Sequence, residues 1–305
     1  MVQYLKSHDL WLKRSMGQNF LIDQKILKKI ISAAEIKPTD AIVEIGPGLG
    51  ILTTELAKHA GKVIAIEKDE KLAEILESGI MNHESWRGKI KIINQDILKI
   101  QNSEFRIHDS RFKVVANIPY NITSAIIRKF LEAENKPSIM VLLVQKEVAQ
   151  RICAKSGEMS LISVAVQFYA EPKIVATVPA SSFFPVPKVD SAIIKIKIKN
   201  QKSCLPAGRA KIKIKEEDFF RMVKFGFAAR RKTLENNLAA GFHITKSRAS
   251  DIIKKAGLPE NIRAQELSIE DWVKLYRKIY GRRSEKIRDS SDVAVGVPTQ
   301  RRREN

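Results

Sequence analysis

VEIGPGLGILT, residues 43–53, is the stretch that decides the fold. Val43, Glu44 and Ile45 close the strand-like run AIVEI, Gly46, Gly48 and Gly50 follow at alternate positions, and Ile51 opens ILTTELAKHA, which has helical spacing. A strand that runs through glycines straight into a helix lets backbone pass close to a ligand, and the helix start presents free N–H groups. A tight structural turn is the alternative reading, since glycine also serves ordinary turns.

The alternation continues outward from that loop. KVIAIE (62–67), KIIN (91–94), FKVVA (112–116) and IMVLLV (139–144) are nearly unbroken apolar runs, as parallel strands covered on both faces should be. ILTTELAKHA, DEKLAEILESG, TSAIIRKFLEAE and QKEVAQRICAK supply the helices that separate or follow them, and Ile26, Ile30, Ile31 and Ala34 mark one face of an earlier one. The expected fold is α/β, a doubly wound Rossmann-like sheet. LISVAVQFYA, KIVATV and SAIIKIKIK then read as strands without long helices between them, predicting an antiparallel finish to the sheet. Lys195, Lys197 and Lys199 alternate with isoleucines there, either as an edge strand guarded by lysines or as a ribbon facing RNA.

NQKSCLPAGR (200–209) breaks the pattern, and beyond it only helical periodicity remains. The expected organisation is a sheet domain over 1–200 whose first 40 residues are helix and loop, a linker over 201–213, a small all-α domain over 214–281 and a disordered basic tail over 282–305.

Bulk composition narrows the chemistry. Across 305 residues, 54 Lys and Arg against 34 Asp and Glu give a net charge of +20 and a pI of about 9.9, which points to a polyanionic partner, nucleic acid first and anionic membrane second. Cys153 and Cys204 form no CxxC pair, which excludes a disulfide framework and gives no zinc-ligand spacing, and a reducing cytoplasm fits. No apolar run reaches the length of a membrane span, and MVQYLKSHDLWLKRS carries charges where a secretory leader needs an apolar stretch. Absence of HExxH and GxSxG removes support for metal-dependent hydrolysis and serine acyl transfer, and no metal is expected.

Three acids sharpen the glycine loop. Its spacing is GxGxG with Glu44 two residues ahead, where a dinucleotide fingerprint wants GxGxxG; this favours S-adenosylmethionine over a nicotinamide cofactor. Glu67 ends the second run, where a carboxylate can accept both ribose hydroxyls, and Asp96 of NQDIL follows the third, placed for an adenine amino group. Each acid alone could instead cap a helix, as Glu67 and Asp69 precede one. Together they lie at the carboxyl ends of consecutive strands, where open α/β sheets bind ligands.

NIPY, residues 117–120, ends the fourth run on that same sheet edge. An exocyclic adenine amine is a poor nucleophile because its lone pair is delocalised into the ring. Acceptors on its hydrogens, the Asn117 side-chain oxygen and the Pro119 carbonyl, would draw the nitrogen towards tetrahedral geometry through positioning and electrostatics. Tyr120 would stack on the base, which must be single-stranded or flipped out. Its hydroxyl has no task in this reading, so Tyr120→Phe is expected to be mild. Asn and Pro are also common turn residues, which is the plainer account of the motif.

With GQNFL, VEIGPGLGILT, AIEKD, NQDIL, NIPYN, LLVQKEVAQRI, FFPVPKVDSAII and FAARRKTLENNL, the chain resembles the rRNA adenine N6-dimethyltransferases from about residue 17 to 280. The resemblance is to the small-subunit (16S-type) enzymes, which dimethylate two adjacent adenines in a hairpin loop near the RNA 3′ end. It implies the Rossmann-like class I fold, S-adenosylmethionine as cofactor, and cofactor contacts at Asn19, Leu21, Gly46, Gly48, Glu67, Asp96 and Asn117. Asn19 and Leu21 come from the resemblance alone. So does Phe183, which it places opposite Tyr120 across the target adenine; from the residues alone FFPVPKVDS is a proline-stiffened loop before a strand, with Phe184 the neighbouring candidate. Lys188 is an RNA-phosphate contact or a solvated loop lysine, and Arg230, Arg231 and Lys232 are RNA or ribosome contacts or a solvated helix face.

A monomer acting in the cytoplasm on a pre-ribosomal small subunit is the expectation. Large-subunit (23S-type) resistance methyltransferases share the glycine loop, NIPY and FxPxPKVxS, but FAARRKTLENNL favours the small-subunit type. A non-catalytic RNA-binding assembly factor is opposed by the intact acids and NIPY. A nicotinamide oxidoreductase is opposed by the glycine spacing.

Overall fold

The computed structural model describes residues 19–81, 83–101, 112–199 and 214–281. The expected linker and basic tail lie outside the described residues. The chain divides into two compact units at Ala207 and Gly208.

The first unit is built on a seven-stranded sheet. Its strands are β2 (Ala41–Ile45), β3 (Lys62–Glu67), β4 (Ile90–Asn94), β5 (Phe112–Asn117), β6 (Ile139–Gln145), β7 (Ala170–Val178) and β9 (Ser191–Ile198), in the order β4-β3-β2-β5-β6-β9-β7. The first five pair in parallel, and β9 runs antiparallel to both β6 and β7. From β2 the chain moves outward to β3 and β4, then returns to the other side of β2 as β5. That reversal places a switch point between Ile45 and Ala116, which are register partners, and ligands bind at such points.

Side-chain parity explains the layers. Ile42, Val63, Val115 and Val141 project to one face, where Ile26, Leu27 and Ile30 of α1 (Gln24–Ala34) and Leu56 and Ala57 of α2 (Ile51–His59) close over them. Leu76 and Ile80 of α3 (Glu70–Met81) pack with Ala65. On the other face Phe112 meets Phe130 of α4 (Thr123–Glu132), ring centroids 6.2 Å apart; α5 (Lys146–Ile152) and α6 (Leu161–Tyr169) follow. Lys113, a charge within an apolar strand, is buried at the edge opposite the switch point. There its Nζ lies 2.8 Å from the Asp40 carboxylate and donates to the Glu35 carbonyl, so the charge is paired where an unpaired one would be prohibitive.

Two expectations are corrected here. LISVAVQFYA is α6 up to Tyr169, not a strand. Ser160 and Ser163 form a reciprocal capping box at its start, and a short apolar run cannot distinguish a buried helix from a strand by periodicity. The lysine-bearing strand is not an edge: β9 lies between β6 and β7. Lys195 reaches the Glu35 carboxylate and Lys199 the Gln167 carbonyl, leaving Lys197 exposed. The edge strand is β7, whose alternating exposure and Pro172 suit that place.

The second unit is helical: α7 (Glu216–Gly226), α8 (Leu234–Phe242), α9 (Lys246–Lys255) and α10 (Ile269–Tyr280). Phe219, Met222, Leu234 and Trp272 are fully buried and form its core. Arg230, Arg231 and Lys232 stand exposed in the turn before α8, which begins only after its Thr233 cap. Buried Asn237 shapes that turn, its Nδ2 donating to the carbonyls of Gly226 (2.7 Å) and Ala229 (3.1 Å).

Candidate active site

A cleft of about 220 Å³ opens at the switch point. The β2–α2 loop, the end of β3, the Gln95–Ile97 turn, the NIPY turn and Asn19 to Leu21 line it. Of the expected cofactor residues, Asn19, Leu21, Gly46, Gly48, Glu67, Asp96 and Asn117 are all brought together there, although the chain separates the first from the last by 98 positions.

The glycine loop is bent by positive φ at Gly46 (65°) and Gly48 (56°). At Gly48 a side chain is doubly excluded: the left-handed backbone disfavours it, and a Cβ would stand 2.7 Å from the Phe20 ring. The Gly48 N–H donates to Glu67 Oε2 at 3.1 Å, and the Asp69 N–H donates to Oε1 at 2.9 Å. Glu67 therefore stitches the loop to β3; with the Lys68 N–H as a further backbone donor it keeps one lone pair for a ligand hydroxyl. Asp69, not Glu67, caps α3, with its Oδ1 accepting from Leu72 N–H.

Burial pushes the Glu67 carboxyl above its ordinary pKa against those backbone hydrogen bonds. Glu44 is displaced further. It is 1% exposed, and burial, reinforced by the Glu67 charge, raises its pKa to about 8 in spite of the Thr53 hydroxyl beside it. Its Oε2 has no hydrogen-bond partner. Asp96 behaves oppositely: an ion pair with Lys68 at 2.9 Å holds its carboxyl low, and the Leu98 N–H occupies Oδ1 at 3.0 Å.

On the other side of the cleft, Asn117 Nδ2 donates to the Asn19 carbonyl at 2.8 Å. Only the nitrogen can donate, so Oδ1 is left as an acceptor. The Pro119 carbonyl takes the Ile122 N–H at 3.2 Å, leaving one lone pair. Tyr120 opens the short 3₁₀ turn after Pro119. Its hydroxyl lies 2.7 Å from Ser191 Oγ, a partner the sequence did not reveal. The segment from Asn19 to Asp23 reaches the site through a two-stranded ladder of β1 (Phe20–Leu21) and β8 (Phe183–Phe184). Asp23 secures it by capping α1 and accepting from the Ser182 hydroxyl at 3.0 Å.

In that ladder Leu21, which both packs in the core and lines the cleft, pairs with Phe183; Phe183 is 1% exposed, packed among Leu21, Ile26 and Val178, and is not among the cleft-lining side chains. Cross-strand partners share a face, so the half-buried Phe184 sides with Phe20 instead. Lys188 is exposed beyond this ladder. Among the described residues, no cluster of three His, Cys, Asp or Glu is placed to hold a metal, and no helix is long and apolar enough to cross a membrane.

An open sheet of this order, with a cleft at its switch point, matches the Rossmann-like fold of the S-adenosylmethionine-dependent methyltransferases. The comparisons carry the assignment further. The family model for ribosomal RNA adenine dimethylase matches residues 10–280. Ribosomal RNA small subunit methyltransferase A of Dehalococcoides mccartyi strain CBDB1 is 45% identical over 273 residues, 90% of each chain. Among solved structures, a dimethyladenosine transferase from Plasmodium falciparum superposes with a TM-score of 0.72 at 26% identity, covering 87% of this chain and 98% of that one. The 23S rRNA methyltransferase ErmE gives a TM-score of 0.67 at 29% identity, covering 85% and 99%. The chain belongs to the ribosomal RNA adenine dimethylase family. It is an S-adenosylmethionine-dependent enzyme whose substrate is rRNA.

The site residues fit that cofactor. Glu44 offers a buried, unpartnered carboxyl oxygen to a cation, Glu67 keeps a lone pair for a hydroxyl, and Ile66, Leu72 and Ile97 supply apolar walls.

Proposed function

We propose that the enzyme methylates N6 of two adjacent adenines in a hairpin loop near the 3′ end of small-subunit rRNA, acting as a cytoplasmic monomer on a pre-ribosomal small subunit. The observation that carries this reading is the orientation of Asn117. With Nδ2 held by the Asn19 carbonyl, Oδ1 meets an incoming amine as a fixed acceptor. The remaining lone pair of the Pro119 carbonyl is the second acceptor. Together they orient the amine nitrogen and draw its hydrogens away from the ring plane without a strong base. Tyr120 holds the base by stacking. S-adenosylmethionine, when bound, supplies an electrophilic methyl group. Glu67 is assigned to its ribose and Asp96, whose carboxylate Lys68 keeps ionised, to its adenine edge. Lys188, Arg230, Arg231 and Lys232 are assigned to RNA phosphates.

The 45% identity to a ribosomal RNA small subunit methyltransferase A over 90% of each chain supports the small-subunit target. Labelled methyl transfer to small-subunit particles and to large-subunit rRNA, each taken from cells lacking the modification, tests it. Incorporation confined to the small-subunit substrate is expected, and incorporation confined to the large-subunit RNA contradicts the proposal.

A further inference from the structure

We infer that Ser191 is a positioning residue for base capture: its hydroxyl tethers the Tyr120 hydroxyl and fixes the ring as a preformed stacking plane at the cleft. The inference rests on the stacking role proposed for Tyr120.

The two ends of the tether differ in rigidity. Ser191 is fully buried at the first position of β9, in register with Gln145 of β6 and Val178 of β7. The residue before it is fixed as well, since the Asp190 carbonyl accepts from Lys146 N–H at 3.0 Å and its Oδ1 from Ala180 N–H at 3.1 Å. Tyr120, by contrast, stands half-buried in a three-residue turn without a side-chain cap. Rotation about its first side-chain torsion would sweep the ring across the cleft it lines. The 2.7 Å contact between Tyr120 Oη and Ser191 Oγ joins this ring to a strand paired on both sides.

A stacking surface that is already oriented loses less freedom when the base arrives, so more of the contact is realised as binding. The tether also gives the serine of FFPVPKVDS a purpose that its place in the sequence, 71 positions after the tyrosine, conceals. Tyr120→Phe should then be damaging although it preserves the aromatic face. It removes one end of the tether and strands a buried serine hydroxyl.

The test uses the full chain with a target hairpin RNA carrying 2-aminopurine at the methylated position for fluorescence, and adenine there for kinetics. Ser191→Ala, Tyr120→Phe, the double variant and Tyr120→Ala are compared. Ser191→Ala and Tyr120→Phe should each lower kcat/KM by about tenfold and weaken the quenching that reports stacking. The double variant should be no worse than either single one, because both break the same contact. S-adenosylmethionine affinity and overall RNA affinity should hold. Wild-type quenching and turnover in both Ser191→Ala and Tyr120→Phe, with Tyr120→Ala impaired, overturn the tether and leave stacking intact; an unimpaired Tyr120→Ala overturns the stacking role itself. Multiplicative losses in the double variant also overturn the tether. Should Ser191→Ala fail to fold, Tyr120→Phe tests the same bond without altering β9, and wild-type behaviour there decides against it.

Discussion

At the scale of single residues, the site separates groups that present charge from groups that aim it. Asn117 is the clearest case of aim, its amide locked by a carbonyl 98 positions earlier. Asn117→Ala should lower kcat by roughly 100-fold, as removal of one preorganised polar contact to a reacting group does. RNA affinity should remain within about twofold; single-turnover kinetics beside filter binding separate the two effects, and equal losses in both would contradict the proposed role. Glu44 is a matter of charge. Its pKa rises from an ordinary 4.5 to about 8 in the folded state, so the folded protein holds a proton there that the unfolded chain releases. The stability this contributes is complete below about pH 4.5 and is lost as pH rises through about 8. Glu44→Gln should flatten that loss, so its stability relative to wild type should climb between these pH values in urea titrations; a constant difference refutes the raised pKa. The places of Asn117, Pro119 and Tyr120 in the cleft were legible in the sequence because they close or follow a strand that ends on the same sheet edge as the glycine loop. Ser191 and Phe20 were not, because their roles depend on strands that pair only in the folded chain. The burial of Phe183 was hidden for a related reason: which of two adjacent phenylalanines faces the core is decided by β1–β8 register, not by composition.

Among elements, the β2–α2 loop is where backbone geometry and ligand chemistry meet. Gly48→Ala would force a Cβ towards the Phe20 ring in a left-handed backbone, with a strain of about 1 kcal/mol or more from the backbone alone. We expect at least about tenfold weaker S-adenosylmethionine binding by calorimetry, since the same residue donates its N–H to Glu67. Phe20→Ala in that background should recover only the steric part. Undiminished affinity in Gly48→Ala would show that the loop is not shaped for the cofactor. The parallel strands and the helices between them could be read from periodicity because each is long, apolar and bounded by turns. α6 could not, because nine residues of LISVAVQFY satisfy strand and helix patterns alike, and its capping serines look like loop residues until the helix forms. The order of β9 and β7 was equally hidden: the lysines in and after β9 resemble edge protection, yet Lys195 in this internal strand pairs with Glu35 and Lys199 just beyond it donates to the Gln167 carbonyl.

For the whole molecule, the excess of basic residues sets how RNA is held. A net charge of +20 makes affinity fall steeply with salt through counterion release. Arg230, Arg231 and Lys232 are exposed and have no acidic partner among the described residues, and their turn is fixed by Asn237. Replacing all three with alanine should lessen the slope of log affinity against log salt by roughly 2 to 3 while leaving cofactor affinity unchanged. An unaltered slope assigns them to the solvated surface. Helical periodicity made the helices of this second unit readable from sequence, whereas the basic turn reads in sequence as a helix opening and the address of the RNA rests on family membership. The most direct test of that address is mass spectrometry of nuclease-digested small-subunit rRNA after incubation of unmodified particles with enzyme and S-adenosylmethionine. N6,N6-dimethyladenosine at two adjacent positions in one hairpin fragment near the 3′ end, absent with Asn117→Ala, is the predicted result. No dimethyladenosine in that fragment, with methyl groups recovered elsewhere or nowhere, would contradict the account.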